Sequence, residues 1–369
     1  MLVPLAWASL ATGSVLLFAI GFYPMFLCSH RPPASDFVGK DRAARLLLLA
    51  DPQLEGDARV EEQGVYGHLN NLFNAAYFKH IFTALTRQYT PSNAAILGDL
   101  LSSELIDEDE HARRVAIFKD SFDGSRVPHG VWHVVGNHDI GYGAKATKKR
   151  LRRHEDAFGA LNSAQTLAEL PVLVWDDVNV DGARSSDAQR LAWRALDLHG
   201  ARARDEGLPW ILLTHIPLFK DAPQCTDDPE VVSKQGKRGK TVVETQTMLS
   251  RESSDRVLAL RPGIIFTGHD HDGCDFNHTL PDGTVVPEFT LRSVMGDYGG
   301  HAHILDVVRM DNEDGSSRFE FAHLTCDFIP ATPLVLILAY ALLLVIGGAA
   351  ALLLSSCSRA APAGKVKQQ

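Results

Sequence analysis

Two histidines one residue apart, His269 and His271, stand beside Thr267, Asp270 and Asp272 directly after the apolar run Gly263-Ile264-Ile265-Phe266. Imidazoles at that spacing in an extended or turning segment share a face and can reach different metal ions of one cluster. One such pair among 16 histidines says little. Four further stretches repeat its grammar, an apolar strand running into a turn rich in metal-ligand residue types. Leu46–Ala50 runs into Asp51-Pro52-Gln53, Ala94–Leu97 into Gly98-Asp99, Val131–Val135 into Gly136-Asn137-His138-Asp139, and Pro209–Leu213 into Thr214-His215. Carboxylate and amide oxygens mixed with imidazole nitrogens suit divalent cations: manganese foremost, with magnesium, iron or zinc as the others. Two such cations about 3.5–4 Å apart can bridge a hydroxide and clamp the oxygens of a phosphoester during in-line displacement.

The intervening segments must bring these turns together. Apolar spacing predicts helices over His68–Gln88, within Ile106–Asp123, and over Lys145–Phe158, Ala188–Leu198 and Glu244–Leu260. The run Asp107-Glu108-Asp109-Glu110 reads as a dipole-matched helix start and Lys145–Phe158 as a basic amphipathic helix. Val172–Val180 supplies one or two strands, and Val285–Val294, His303–Val308 and Phe319–Leu324 read as antiparallel strands, with His301 and His303 structural. Asp221–Thr241, which carries Lys234, Lys237, Arg238 and Lys240 between glycines, reads as the least ordered stretch. Strands alternating with helices, followed by a strand-rich end, predict an α/β layered domain with mixed sheets. Ligands at successive strand ends then converge on one sheet edge.

The chain has 369 residues, 45 % of them hydrophobic, enough for one large domain. A formal charge of -9 argues against a nucleic-acid partner. Val3–Cys28 is apolar and uncharged, long enough to cross a bilayer core, and residues 1–29 read as an uncleaved anchor, with a cleaved signal as the alternative. A second apolar run gives a transmembrane helix over 328–355, followed by Arg359, Lys365 and Lys367 in a tail over 356–369. Those cations favour a cytoplasmic C-terminus, which leaves a linker over 30–44 and a domain over 45–326 in a lumen. Arg31, Lys40, Arg42 and Arg45 after the first span run against that orientation. The last five residues resemble a dilysine-type retrieval signal read by coat machinery. Asn277-His278-Thr279 is a glycosylation acceptor, expected in a surface loop. Cys225, Cys274 and Cys326 fall in the domain, where an oxidising compartment permits disulfides.

In order and spacing the five blocks resemble the calcineurin-like metallophosphoesterase family, whose pattern is Asp-x-His, Gly-Asp, Gly-Asn-His-Asp/Glu, His and Gly-His-x-His. Four of the five match here, over roughly Leu46 to Val308. The resemblance implies a layered sandwich of two mixed sheets flanked by helices. It also assigns Asp51, Gln53, Asp99 and His271 to one metal and Asp99, Asn137, His215 and His269 to the other, with Asp99 as bridge. His138 is not a ligand in the family; it protonates the leaving alkoxide or stabilises charge on the transferring group. Asp139 and Asp272 are expected either to orient His138 or His271 or to cap a following turn. Gln53 departs from the pattern, because the family usually has histidine there. An amide oxygen is a neutral, harder donor that binds the first metal more weakly and leans toward manganese or magnesium, or else marks a lost metal.

Among members, an anchored lumenal domain with a basic retrieval tail resembles the endoplasmic-reticulum enzymes that remodel glycosylphosphatidylinositol anchors. The run Asn137–Tyr142 resembles them too, as does a cysteine after each of the last two blocks, and Ala50–Gln53 resembles their fungal branch. That resemblance implies a phosphodiesterase removing ethanolamine-phosphate from a mannose of a lipid-anchored glycan, and a Cys225–Cys274 disulfide, with a pair using Cys326 as the alternative. The other readings are a hydrolase of another lipid or nucleotide phosphoester, and a non-catalytic membrane receptor for lumenal cargo.

Overall fold

Period-two burial builds the floor of the domain. In β2 (Arg42–Leu49), Leu46 and Leu48 face one way and Leu47 and Leu49 the other, and all four are buried. A strand covered on both faces reads as an unbroken apolar run, which is why it stands out in the sequence. Full burial of each such leucine contributes about 1.5–3 kcal/mol.

The computed structural model describes residues 2–22, 26–30, 42–54, 64–103, 106–182, 186–235, 241–295, 300–311, 317–328 and 331–360. They form two compact units, Phe26–Phe328 and a smaller one made of the two chain ends. The large unit holds two six-stranded sheets. The first runs β1 (Phe26–His30), β14 (Ser317–Phe328), β13 (His301–Asp311), β2, β3 (Asn93–Leu97), β4 (Val131–Val134); its β2, β3 and β4 are parallel. The second runs β11 (Cys274–Thr279), β12 (Val285–Thr290), β10 (Ile264–Thr267), β7 (Ile211–Leu213), β6 (Leu170–Val174), β5 (Ser163–Leu167), with β12, β10, β7 and β6 parallel. Leu46, Leu48 and Leu97 of one sheet meet Leu213 and Phe266 of the other in the core between them. This is the expected sandwich of two mixed sheets.

Helices cover the outer faces. In chain order the unit contains α2 (Val65–Tyr89), α3 (Glu108–Ser121), α4 (Asn137–Ile140), α5 (Lys148–Phe158), α6 (Ser186–Glu206) and α7 (Arg251–Ala259). The acidic run is the start of α3: Asp107 caps it, its carboxylate accepting the Glu110 N–H at 2.8 Å. Against the second sheet, Ala192 and Leu196 of α6 and Val257 of α7 pack on Leu212 and Ile265.

Several expectations need correction. Val231–Gln235 forms strand β8, paired antiparallel with β9 (Thr241–Gln246), where the sequence reads as a loop followed by a helix from Glu244. Every β8 residue is exposed, so the strand has no apolar alternation to announce it. The helix starts only at Arg251, because Ser250 caps it through the Ser253 N–H. The first apolar run is not one element either. Helix α1 (Leu2–Phe22) stops early, and Phe26–His30 becomes strand β1 against β14, so the large unit spans 26–328 rather than 45–326. Asn277 is exposed, but on strand β11 rather than in a loop. The turn Glu55–Asp57, linker residues 31–41, Lys237, Arg238, Lys240 and the Lys365/Lys367 tail lie outside the described residues.

In the smaller unit, α1 and α8 (Ala331–Ala360) pack antiparallel through small residues. A Cβ on Gly13 would lie 2.7 Å from the Ala341 carbonyl oxygen, and one on Gly348 2.7 Å from that of Ala6. Glycine permits that backbone approach. Helix α8 carries Val335–Ser356, 22 residues long and apolar enough to cross a membrane, whereas the apolar stretch of α1, Val3–Ala19, is shorter.

Candidate dinuclear metal centre

The parallel strands deliver their C-terminal turns to one place. Asp51 and Gln53 follow β2, Asp99 follows β3, Asn137 opens α4 after β4, His215 follows β7, and His269 and His271 follow β10. Among the described residues, four of the seven non-glycine positions with positive φ are in this set: Asp51 (53°), Gln53 (38°), Asp99 (46°) and His269 (71°). Left-handed backbone at such residues costs energy and persists where surrounding contacts fix it, as at functional sites.

Glycine solves the crowding in two ways. Gly98 has φ +82° and faces the His215 ring. Gly136 and Gly268 do not adopt a left-handed turn. Their role is space: a Cβ on Gly268 would lie 2.6 Å from Asp51 Oδ2, and one on Gly136 would strike the Asp99 carboxylate.

All seven expected ligands are gathered. His215 Nδ1 donates to the Leu97 carbonyl at 2.9 Å, which turns Nε2 toward Asn137 Oδ1 at 3.0 Å and Asp99 Oδ1 at 3.3 Å. Fixing one imidazole nitrogen this way aims the lone pair of the other. Likewise His269 Nε2 donates to the Gln246 carbonyl at 2.8 Å, leaving the Nδ1 lone pair for a metal. Ligand atoms of Asp99, His215 and His269 lie within 4.8 Å of one another. Gln53 Nε2 donates to Asp99 Oδ2 at 3.2 Å and lies 3.2 Å from His271 Nε2, so the amide nitrogen rather than the expected oxygen faces the site. Asp51 accepts the His269 N–H through both oxygens, at 3.1 and 3.0 Å. His138 Nε2 lies 3.9 Å from Asp99 Oδ2, and its side chain is 45 % exposed. The site is thus open on the His138 side.

Electrostatics mark the pocket as built for positive charge. Asp51 and Asp99 are 0 % and 1 % exposed, and among the described residues neither pairs with a lysine or arginine. Burial pushes the Asp51 carboxyl well above its usual range. Burial would do the same to Asp99, but His215, then His138 and His269, outweigh it and hold it low. Burial opposes charge on His215, yet Asp99 and Asp51 beside it lift it to about 10. Burial pushes His269 down to about 4 and lowers His271. Carboxylates and imidazoles buried together compete for protons, and a divalent cation displaces those protons when it binds. The donor set fits two such cations.

Asp139 binds backbone that precedes it in the chain rather than a following turn. Its carboxylate accepts the N–H groups of Gly136 (2.9 Å), Leu100 (3.2 Å) and Leu101 (3.0 Å), stapling the Asp99 turn to the Asn137 turn. Asp272 contributes backbone: its N–H donates to Asp270 Oδ1 and its carbonyl accepts from Arg292 Nε.

Some supporting residues escaped the sequence reading. Asp177 accepts the Ile216 N–H at 2.8 Å and so anchors the chain after His215. Its signal was a pair of acids after the run ending in Trp175. Glu288, fully buried, accepts Lys220 Nζ at 2.8 Å and the Leu218 N–H at 3.1 Å, with His278 Nε2 2.5 Å from its other oxygen. Gln246 works through its carbonyl, which no side-chain pattern reveals.

Residues 44–273, more than half of the chain, match the family described as calcineurin-like phosphoesterase. The chain belongs to that family. This calcineurin-like phosphoesterase is a metal-dependent phosphoric ester hydrolase. It is 30 % identical over 311 residues to the Schizosaccharomyces pombe protein C23A1.02c, covering 71 % of this chain and 69 % of that one. It is similar to Protein TED1 of Saccharomyces cerevisiae, 24 % identical with 79 % of each chain covered. It is also similar to Metallophosphoesterase 1 of Mus musculus, 26 % identical with 82 % of each covered.

Proposed function

We propose that this calcineurin-like phosphoesterase is a phosphodiesterase that removes ethanolamine-phosphate from a mannose of glycosylphosphatidylinositol anchors. Its site faces the lumen of the endoplasmic reticulum, and coat machinery reads its cytoplasmic tail. The observation that carries the hydrolytic part is the gathering of Asp51, Gln53, Asp99, Asn137, His215, His269 and His271 in one pocket. The likeness of Asn137–Tyr142 to the anchor-remodelling branch supports the substrate. The Cys225–Cys274 disulfide supports an oxidising compartment, and Val335–Ser356 supports a membrane anchor.

Two divalent cations, manganese by preference, would polarise the phosphoryl oxygens and lower the pKa of an attacking water. One would be held by Asp51, Gln53, Asp99 and His271, the other by Asp99, Asn137, His215 and His269. The chain's own part is geometric. Asp99 Oδ1 accepts the His138 N–H at 2.8 Å, fixing that residue at the rim, and its exposed imidazole donates a proton to the leaving sugar oxygen.

Mass analysis of anchor glycans tests this. Cells lacking the protein should accumulate anchors bearing one extra ethanolamine-phosphate, and Asp99→Asn or His138→Gln should fail to restore them. Unchanged glycans would sink the substrate assignment. A hydrolase of another lipid or nucleotide ester would still cleave an offered phosphoester with manganese. A cargo receptor would keep its cellular role in both variants.

A further inference from the structure

Arg292 follows β12 in a backbone stretch tied on both sides to the ligand-bearing turns. The Leu291 N–H donates to the Thr267 carbonyl at 2.8 Å, and the Ser293 hydroxyl donates to the Asp51 carbonyl at 2.8 Å. Between them the Arg292 N–H donates to His301 Nε2 at 3.1 Å, so the residue has little freedom. Its side chain is partly buried, and Nε donates to the Asp272 carbonyl at 3.1 Å, one residue beyond His271.

That single bond uses the inner nitrogen of the guanidinium and leaves the outer pair uncommitted. Among the described residues, Arg292 forms no ion pair and its terminal nitrogens donate no hydrogen bond to the protein. Three other arginines of the domain are committed to carboxylates. Arg45 grips Asp306 at 2.6 Å, Arg256 grips Asp197 at 2.7 Å and Arg261 grips Asp282 at 2.6 Å. A positioned guanidinium with two spare parallel donors is the geometry that takes two oxygens of one phosphoryl group.

We propose that Arg292 is the phosphoryl-binding arginine of this site, its terminal nitrogens receiving the non-bridging oxygens of the substrate that the two cations leave uncovered. The assignment rests on the phosphoester-hydrolase reading and adds the residue that neutralises the transferring group from the protein side. Asp272 acts as the brace: its carbonyl holds the guanidinium plane.

Binding of inorganic phosphate to the full-length, detergent-solubilised, manganese-loaded protein, followed by calorimetry, tests it without any assumed substrate. Phosphate should bind wild type saturably and Arg292→Ala at least tenfold more weakly. Arg292→Lys, a point charge without the fork, should fall between, and manganese content should stay unchanged in both. With bis(p-nitrophenyl) phosphate as substrate, added guanidinium should restore part of the rate lost in Arg292→Ala and do nothing for wild type. Equal phosphate affinity in wild type and Arg292→Ala, or no phosphate binding by wild type, would overturn the proposal. So would loss of manganese or of folded protein in both variants, which would make Arg292 a structural tie for the His271 turn. If phosphate affinity depends on Arg292 while no phosphodiester is cleaved, the phosphodiesterase reading fails and this one stands.

Discussion

The Asp139 carboxylate and the Leu101 backbone N–H meet at 3.0 Å, joining the turn after β4 to the turn after β3. Gly136 and Leu100 donate to the same carboxylate, so three N–H groups converge on two oxygens. In Asp139→Asn one of those oxygens becomes an NH2 that faces N–H donors. A buried donor left without a partner costs about 1–3 kcal/mol. The variant should unfold at lower urea by that amount and release manganese more readily, because the Asp99 turn loosens. A midpoint and metal content equal to wild type would refute the staple.

Gln53 stands between Asp99 and His271, 3.2 Å from each, where the family usually has histidine. Replacing the amide by an imidazole gives a softer, stronger donor. Gln53→His should therefore bind zinc about tenfold or more tightly and narrow the preference for manganese, read by competition against a chelator. If neither affinity moves, Gln53 does not hold a metal.

The site was legible because its residues carry the chemistry in their side chains and follow strands buried on both faces. Leu46–Ala50 and Ile264–Phe266 are unbroken apolar runs, so the turns after them could be found without knowing the sheet order. The strand pair of β8 and β9 was not legible, since β8 is exposed throughout and its pairing partner starts beyond residues that give no pattern. Phe26–His30 was hidden differently: a strand of Phe, Leu and Cys continues the apolar character of the helix before it, and hydropathy alone cannot separate them. Arg292 had no signal at all in the sequence, as its meaning depends on a carbonyl contributed twenty residues earlier.

Cys225 and Cys274 form a disulfide that closes a 49-residue separation, spanning β8, β9 and α7. Cys326 is also disulfide-bonded, and the β1–β14 register sets Cys28 opposite it. Peptide mapping without reductant should therefore recover Cys225 joined to Cys274, and Cys326 in a second link. Removing the first link by Cys225→Ser and Cys274→Ser should cost roughly 2–4 kcal/mol of stability. Free Cys225 and Cys274 in protein from the secretory compartment would contradict both the structure and the lumenal assignment.

His154 of α5 is buried beside Phe158, ring centroids 5.2 Å apart, and burial, then the neighbouring His133 and His111, push it down to about 3. Its folded pKa lies below the unfolded value of about 6.5, so the unfolded chain binds the proton more readily. The stability it contributes is complete above pH 6.5 and drains away as the pH falls toward 3. Phenylalanine in its place fills the space and does not titrate. Urea midpoints of wild type and His154→Phe should differ by a constant above pH 7, and the wild type should lose more between pH 6 and 4. Parallel profiles through that window would mean that His154 is already charged in the folded protein, and that the aromatic surroundings do not exclude its proton.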